Sequence, residues 1–251
     1  MSVNMNIDLN GKTALITGAT RGIGKAIADE FLRSGAQVVL TGTKPDDIEQ
    51  LAAANDNPHI KWHVADFSTQ EGIDLFINEL KNINPIDICI NNAGINIIKS
   101  FGEYSVAEYQ RLLSINLKAP FMIVQHVIPG MKKRGYGQIV NIASIWSHIT
   151  KPGRSLYTIS KTGLVGFTRS MAIEYASSNI LVNAVSPGFT MTELTEQSLS
   201  ADEINDLSGQ IPLGRFANPD EIAKTVLFLA SKLNTYITGQ NIIIDGGFTL
   251  V

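Results

Sequence analysis

The chain reads as an α/β protein: a parallel sheet covered by helices on both faces. Three observations predict this. Short β-branched runs alternate with longer amphipathic stretches from end to end. The candidate strands are continuously apolar, as strands buried on both faces are. No linker, repeat or low-complexity segment interrupts the 251 residues, so the chain is read as one domain, 1–251.

The elements follow in order. Ala14 to Thr17 is the first predicted strand, and Gly22 to Ser34 the first helix. Gln37 to Thr41 is the second strand, and Pro45 to Ala54 the next helix, with proline at a favourable first-turn position. Trp62 to Ala65 and Ile86 to Ile90 are strands separated by a helix near Gln70 to Lys81. A long helical region covers Val106 to Lys133, followed by a strand at Gln138 to Ile142 and a helix at Leu156 to Ser177. Ile180 to Val185, Pro219 to Ser231 and Asn241 to Ile244 complete the alternation. Gly188 to Arg215 shows weak periodicity and is expected to be a flexible substrate loop, about 188–215, because long loops in compact domains usually serve function.

Composition excludes several classes. The formal net charge is −3 and charged residues make up 17%, which fits neither a disordered chain nor a basic nucleic-acid face. The single cysteine, Cys89, admits no internal disulfide and points to a reducing, cytoplasmic setting. The N-terminal residues lack the basic start and apolar core of a signal peptide, and no window approaches eighteen uninterrupted apolar residues, so no membrane span is expected. The histidines show no metal-ligand spacing, so no metal is expected.

The first strand runs into Thr17-Gly18-Ala19-Thr20-Arg21-Gly22-Ile23-Gly24 and then a helix. Glycines allow a tight turn and close approach of a ligand, and the helix N-terminus offers unpaired N–H groups to a pyrophosphate. Strand, glycine-rich turn and helix is the context of a dinucleotide site, here spaced G-x-x-x-G-x-G. Gly18, Thr20, Arg21, Gly22, Ile23 and Gly24 are candidate contacts. The second strand ends Leu40-Thr41-Gly42-Thr43-Lys44, with Thr41 and Thr43 as further candidates. The position where an NAD site carries an acid for the ribose 2′-hydroxyl falls on Gly42. Nothing there repels a 2′-phosphate, while Arg21 and Lys44 attract one. NADP(H) is therefore expected over NAD(H).

Tyr157 and Lys161 lie four apart at the start of a predicted helix and share a face. Ser144 stands thirteen residues before the tyrosine, just past a strand end. Random placement gives about 0.3 Tyr-x-x-x-Lys matches, and about 0.02 once the serine is required. A carbonyl that accepts a hydride must also receive a proton. A free tyrosine titrates near about 10, and a nearby ammonium lowers that value. The lysine is also suited to hold the nicotinamide ribose, and the serine to polarise the substrate oxygen. Asn116 stands four residues before Pro120 within a predicted helix. Proline has no N–H for the Asn116 carbonyl, which is then free to hold a water in a proton relay to Lys161.

Together these residues resemble the short-chain dehydrogenase/reductase family in its compact single-domain branch. The resemblance runs nearly end to end: the glycine turn, Asp66, Asn91-Asn92-Ala93-Gly94, Asn116, Ser144, Tyr157-x-x-x-Lys161, Pro187-Gly188 and Asp245-Gly246-Gly247. It implies a Rossmann-type doubly wound seven-stranded parallel sheet, order 3-2-1-4-5-6-7, and a catalytic tetrad of Asn116, Ser144, Tyr157 and Lys161. It implies that Asp66 and Phe67 border the adenine, that Asn92, Ala93 and Gly94 lie beside the cofactor, and that Pro187, Gly188 and Thr190 contact its nicotinamide side. A homotetramer joined through the two long helices is also implied.

Within the family the chain is similar to bacterial β-ketoacyl-acyl-carrier-protein reductases. Met131 to Gly135 resembles their basic docking patch for the carrier protein, but Ile173 stands where they often place a second arginine. Asn91 to Asn96 is also similar to sugar-acid and polyol dehydrogenases of the family. The expected activity is ketone–secondary alcohol interconversion on a small molecule, free or carrier-bound. The alternative of another class is a non-catalytic dinucleotide sensor, against which the intact tetrad argues. Candidate substrate residues are Ile95, Asn96, Ile145, Trp146, His148, Ile149, Met191 and Leu194. Most are apolar, which favours an acyl, steroid-like or aromatic ketone over a sugar.

Overall fold

A computed structural model describes residues 7–83 and 85–251, apart from the side chains of Leu194 and Ser198. The N-terminal reading for a leader thus rests on residues outside the described ones. Seven parallel strands form one sheet in the order β3-β2-β1-β4-β5-β6-β7. They are β1 (Thr13–Ile16), β2 (Gln37–Gly42), β3 (Ile60–Val64), β4 (Ile88–Asn91), β5 (Gly137–Ile142), β6 (Ile180–Pro187) and β7 (Asn241–Ile244). The helices between them are α1 (Gly22–Arg33), α2 (Pro45–Ala53), α3 (Gln70–Leu80), α4 (Val106–Leu113), α5 (Ala119–Arg134), α6 (Ser155–Tyr175), α7 (Glu193–Ser198), α8 (Ala201–Gly209) and α9 (Pro219–Ala230).

Side-chain alternation along the strands builds two cores. Ala14, Ile16, Val38, Leu40, Ile88 and Ile90 face α1 and α9. Leu15, Val39 and Cys89 face the other way, against Ile73 and Phe76 of α3 and Ile123, Val127 and Met131 of α5. Successive strand residues point to opposite faces, so apolar residues at every position require helices on both sides. Burial pushes the Cys89 thiol up to about 12, so it acts as a small core residue.

The long helical region expected over Val106 to Lys133 is interrupted. Ser114–Lys118 forms one wider π turn between α4 and α5. Pro120 accounts for it: the residue four before it, Asn116, finds no N–H there, and the ladder widens around the gap. The rod Val106–Arg134 is long and apolar enough to cross a bilayer by composition. Half of its most apolar window is buried, and Ile123, Val124, Val127, Ile128 and Met131 supply the sheet-facing core.

The stretch 188–215, expected as a flexible substrate loop, contains α7 and α8. Both start at side-chain caps. Thr192 Oγ1 accepts from Thr195 N at 3.3 Å, and Ser200 forms a reciprocal capping box with Glu203. Helices this short show little apolar periodicity, but the Ser-x-x-Glu start is readable in the sequence.

Candidate active site

The order of the strands reverses direction between β1 and β4, and ligands of open α/β sheets bind at the carboxyl ends beside such a switch. A cleft of about 390 Å³ lies there. Gly18, Thr20, Arg21, Gly22, Ile23, Gly24, Thr43, Asp66, Phe67, Asn92, Ala93 and Gly94, all candidates from the sequence, line it.

The turn after β1 needs its glycines. Gly18 has φ +64°, and a Cβ there would stand 2.9 Å from Ala93 Cα. A Cβ on Gly24 would meet Gly18 O at 2.2 Å. Thr17 holds the facing loop: its Oγ1 accepts from Asn92 N and Ala93 N, each at 3.0 Å. Asn92 Nδ2 donates back to Thr17 O and Gly18 O, each at 2.9 Å. Helix α1 begins with no side-chain cap and no acid in its first turn, so its first N–H groups face the cleft free for an anion.

Gly42 is closely flanked by two side chains. A Cβ at this position would meet Thr20 Cγ2 at 2.5 Å and Ile48 Cδ1 at 2.6 Å. No side chain fits there without displacing both. Arg21 and Thr43 are exposed at the mouth. Thr41 differs from expectation: it is buried beneath the turn, where its Oγ1 accepts from Gly18 N at 3.1 Å. It shapes the turn rather than the cleft surface.

The four tetrad residues come from three elements. Asn116 sits in the π turn, fully buried. Its Oδ1 accepts from Ile95 N and its Nδ2 donates to Ile95 O, both at 2.9 Å, and to Ser160 Oγ at 3.1 Å. It therefore clasps the loop after β4 to α6. Lys161 Nζ donates to Ile142 O at the end of β5, at 2.8 Å. A Cβ on Gly94 would stand 3.3 Å from that Nζ and 3.5 Å from Asn116 Oδ1, so the cleft's glycine floor borders both. Burial lowers the Lys161 ammonium to about 8.

Ser144 follows β5 by two residues, and its Oγ accepts from Trp146 N at 3.3 Å. Tyr157 is in the first turn of α6, with Lys161 Nζ 5.7 Å from its ring centroid. Burial pushes the Tyr157 phenol up, while the Ser144 hydroxyl and the Arg154 charge pull it down. The Arg154 charge acts on the phenol in the downward sense expected of Lys161, and burial outweighs it. Arg154 escaped the sequence reading, although its spacing three residues before Tyr157 places both on one turn of helix.

The candidate substrate residues are scattered. Ile145 and Trp146 are buried, Asn96 and His148 are exposed, and Ile95 lines the dinucleotide cleft. Met191 N donates to Ala217 O at 2.8 Å, and the Leu194 side chain lies outside the described residues. Ile149 lines a second cavity of about 410 Å³ with Gln210, Phe248, Thr249 and Val251, four residues with no signal in the sequence. At the end of β6, Gly188 N donates to Ile244 O at 2.8 Å and Thr190 Oγ1 to Gly188 O at 3.2 Å. Phe189 between them meets Trp146 edge-on at 6.5 Å and Phe248 at 5.1 Å.

The expected basic patch is partly committed inward. Arg134 donates to Ile86 O at 2.5 Å and approaches Asp87 at 3.4 Å, while Ile173 is 83% exposed.

Known proteins resemble this chain over nearly its whole length. The family model described as Enoyl-(Acyl carrier protein) reductase matches residues 18–249. A 3-oxoacyl-[acyl-carrier-protein] reductase of Aquifex aeolicus is 41% identical over 248 residues, covering 97% of this chain and 99% of that protein. A solved short chain dehydrogenase/reductase family protein superposes with TM-score 0.88 at 36% identity, over 97% of this chain and 100% of the other. A gluconate 5-dehydrogenase from Burkholderia cenocepacia, solved in complex with NADP and tartrate, gives TM-score 0.90 at 30% identity over 98% of each chain.

Proposed function

We propose that this chain, which belongs to the short-chain dehydrogenase/reductase family, interconverts a ketone and a secondary alcohol with NADP(H), using Tyr157 as its acid/base. The observation that carries the reading is that Lys161 Nζ borders both the Gly94 floor of the cleft, on which α1 starts uncapped, and the Tyr157 ring, 5.7 Å away.

The residues present suit a dinucleotide: an acid-free helix start, a glycine floor that a Cβ would fill, and exposed Arg21 and Thr43 where a 2′-phosphate would rest. When bound, the nicotinamide supplies or accepts the hydride. Arg21 would hold the 2′-phosphate, and the amides around Gly22 the pyrophosphate. Lys161 would hold the nicotinamide ribose.

In reduction, Tyr157 Oη gives its proton to the carbonyl oxygen as the adjacent carbon is reduced, and in oxidation it takes that proton back. Ser144 donates a hydrogen bond to the same oxygen and stabilises the charge developing there. Without substrate, the same hydroxyl hydrogen-bonds Tyr157 and lowers its phenol. Asn116 positions α6 and the loop after β4 through its three hydrogen bonds, and Lys161, 5.7 Å from the Tyr157 ring centroid, would carry the proton onward.

The substrate is a small molecule. A carrier-bound 3-oxoacyl chain is the second reading, favoured by the 41% identity to the Aquifex enzyme. The committed Arg134 and the exposed apolar Ile173 weigh toward a free one. Exposed Val106, Tyr109 and Phe121 on the α4–α5 rod and Ile159 and Ile173 on α6 support self-association through these helices.

The test is Tyr157→Phe. Its ketone turnover should fall about 10³-fold, the middle of the range for a general acid, while NADPH affinity stays within a few-fold of the wild type. Turnover within tenfold of the wild type would remove Tyr157 from the role.

A further inference from the structure

Three polar side chains outside the tetrad meet behind Ser144. Ser147 belongs to the short turn Ile145–Ser147 after β5, Ser186 to β6 and Asn241 to β7. Ser147 Oγ donates to Ser144 O at 2.6 Å and lies 3.2 Å from Ser186 Oγ. Ser186 Oγ and Asn241 Oδ1 are 2.7 Å apart, and Asn241 Nδ2 stands 3.5 Å from Ser147 Oγ. Ser186 is fully buried. A hydroxyl has one hydrogen to give. In this arrangement Ser186 gives its hydrogen to Asn241, the Asn241 amide faces Ser147 Oγ, and Ser147 gives its own hydrogen to Ser144 O. With the Asn241 amide turned over, it donates to Ser186, Ser186 donates to Ser147, and Ser147 again donates to Ser144 O. Both arrangements end on the same carbonyl. That carbonyl also accepts from Ser147 N at 2.8 Å, so one residue holds it twice. Thr162 Oγ1 donates to Ser147 O at 3.4 Å, which joins the turn to α6 one residue past Lys161. Ser144 Oγ accepts from Trp146 N at 3.3 Å in the same turn, which leaves its hydrogen for another acceptor.

We infer that Ser147, backed by Ser186 and Asn241, is a positioning residue for Ser144: it fixes the Ser144 carbonyl and thereby the direction in which the Ser144 hydroxyl donates to the substrate oxygen. This rests on the reaction proposed above. Charge develops on that oxygen only during transfer, and a donor aimed beforehand stabilises it without having to reorganise. With the Ser147 hydroxyl removed, the turn loses its tie to β6 and β7 and Ser144 samples other directions. Turnover then drops, while the cofactor cleft, built from β1, α1 and the loop after β4, is untouched.

A double-mutant cycle tests this, read as reduction of ethyl 3-oxobutanoate by NADPH at 340 nm. Ser147→Ala should lower kcat about tenfold, the worth of one hydrogen bond, with KM and NADPH affinity within about twofold of the wild type. Ser144→Ala should lower kcat about 10²-fold. In the Ser144→Ala background, Ser147→Ala should cost less than about twofold, because no hydroxyl remains to be aimed. Asn241→Asp, which has no N–H to donate, should lower kcat a few-fold. An unchanged kcat in Ser147→Ala or Asn241→Asp, or an equal loss from Ser147→Ala in both backgrounds, overturns the inference. The proposed reaction then still stands, provided Tyr157→Phe abolishes turnover. Amide hydrogen exchange reads the same clamp without a substrate. The Trp146 N–H should exchange about tenfold faster in Ser147→Ala, as in Ser144→Ala, with the β6 amides unaffected. If the wild type leaves the ester untouched, this measurement decides. Faster Trp146 exchange supports the clamp even as the reaction fails, and equal exchange in wild type and Ser147→Ala overturns it.

Discussion

Replacing Thr17 by valine keeps the shape of the side chain and removes one oxygen. That oxygen accepts from the backbone N–H groups of Asn92 and Ala93 at 3.0 Å and donates to Ile90 O at 3.4 Å. Thr17 is 2% exposed, so water has little access to take its place. Each orphaned N–H costs about 1–2 kcal/mol, so the pair costs about 3 kcal/mol. Removing a buried hydroxyl offsets about 1 kcal/mol of this, leaving a net loss of about 2 kcal/mol. For a chain of this size that lowers Tm by about 4–8 °C. The assay is thermal unfolding by circular dichroism at one fixed protein concentration, with NADPH titration alongside. Thr17→Ser keeps the oxygen and should keep the NADPH affinity, while Thr17→Val weakens it by freeing the Asn92–Gly94 loop. A valine variant melting within 1 °C of the wild type with unaltered NADPH affinity would refute the account of this turn.

Three further outcomes follow from the same geometry. Gly24→Ala places a Cβ 2.2 Å from Gly18 O, so NADPH affinity should drop at least about tenfold even in protein that still folds, read by fluorescence titration. Arg21→Ala should cut the NADPH-to-NADH preference in kcat/KM about tenfold, and an unchanged ratio would mean Arg21 does not reach the 2′-phosphate. Burial lowers Lys161 from 10.5 to about 8, so the unfolded chain binds the extra proton between those values and wild-type stability rises with pH across that window. Lys161→Met removes this slope, worth at most about 3 kcal/mol, and parallel urea-midpoint profiles for the two proteins from pH 8 to 10.5 would contradict it.

Much of this was legible because the signals are local. Apolar strands between helices specify a doubly covered parallel sheet, and the order 3-2-1-4-5-6-7 implied by the family resemblance is the order found. The glycine turn is legible because Gly18 and Gly24 occupy positions no other residue fits. Pro120 marks the disturbance at Asn116, although the sequence pointed to a freed carbonyl and the side chain proved to be the clasp. Three-dimensional convergence was not legible. Arg154 and Lys151 meet at Trp146 only through the fold, and Gln210 joins Phe248 and Ile149 across long stretches of chain. The α7 and α8 helices were missed because their identity lies in caps rather than in apolar rhythm.

The π turn also sets a phase. An α-helix advances about 100° per residue, so one widened turn shifts everything beyond it by about one residue's arc. The rod Val106–Arg134 can therefore obey two masters. Before and within the turn, Arg111 and Ile115 look into the dinucleotide cleft; beyond it, Ile123, Val127 and Met131 look into the sheet. An unbroken helix of the same sequence would keep one of these alignments and lose the other. Pro120 thus works as a gear between a binding surface and a packing surface.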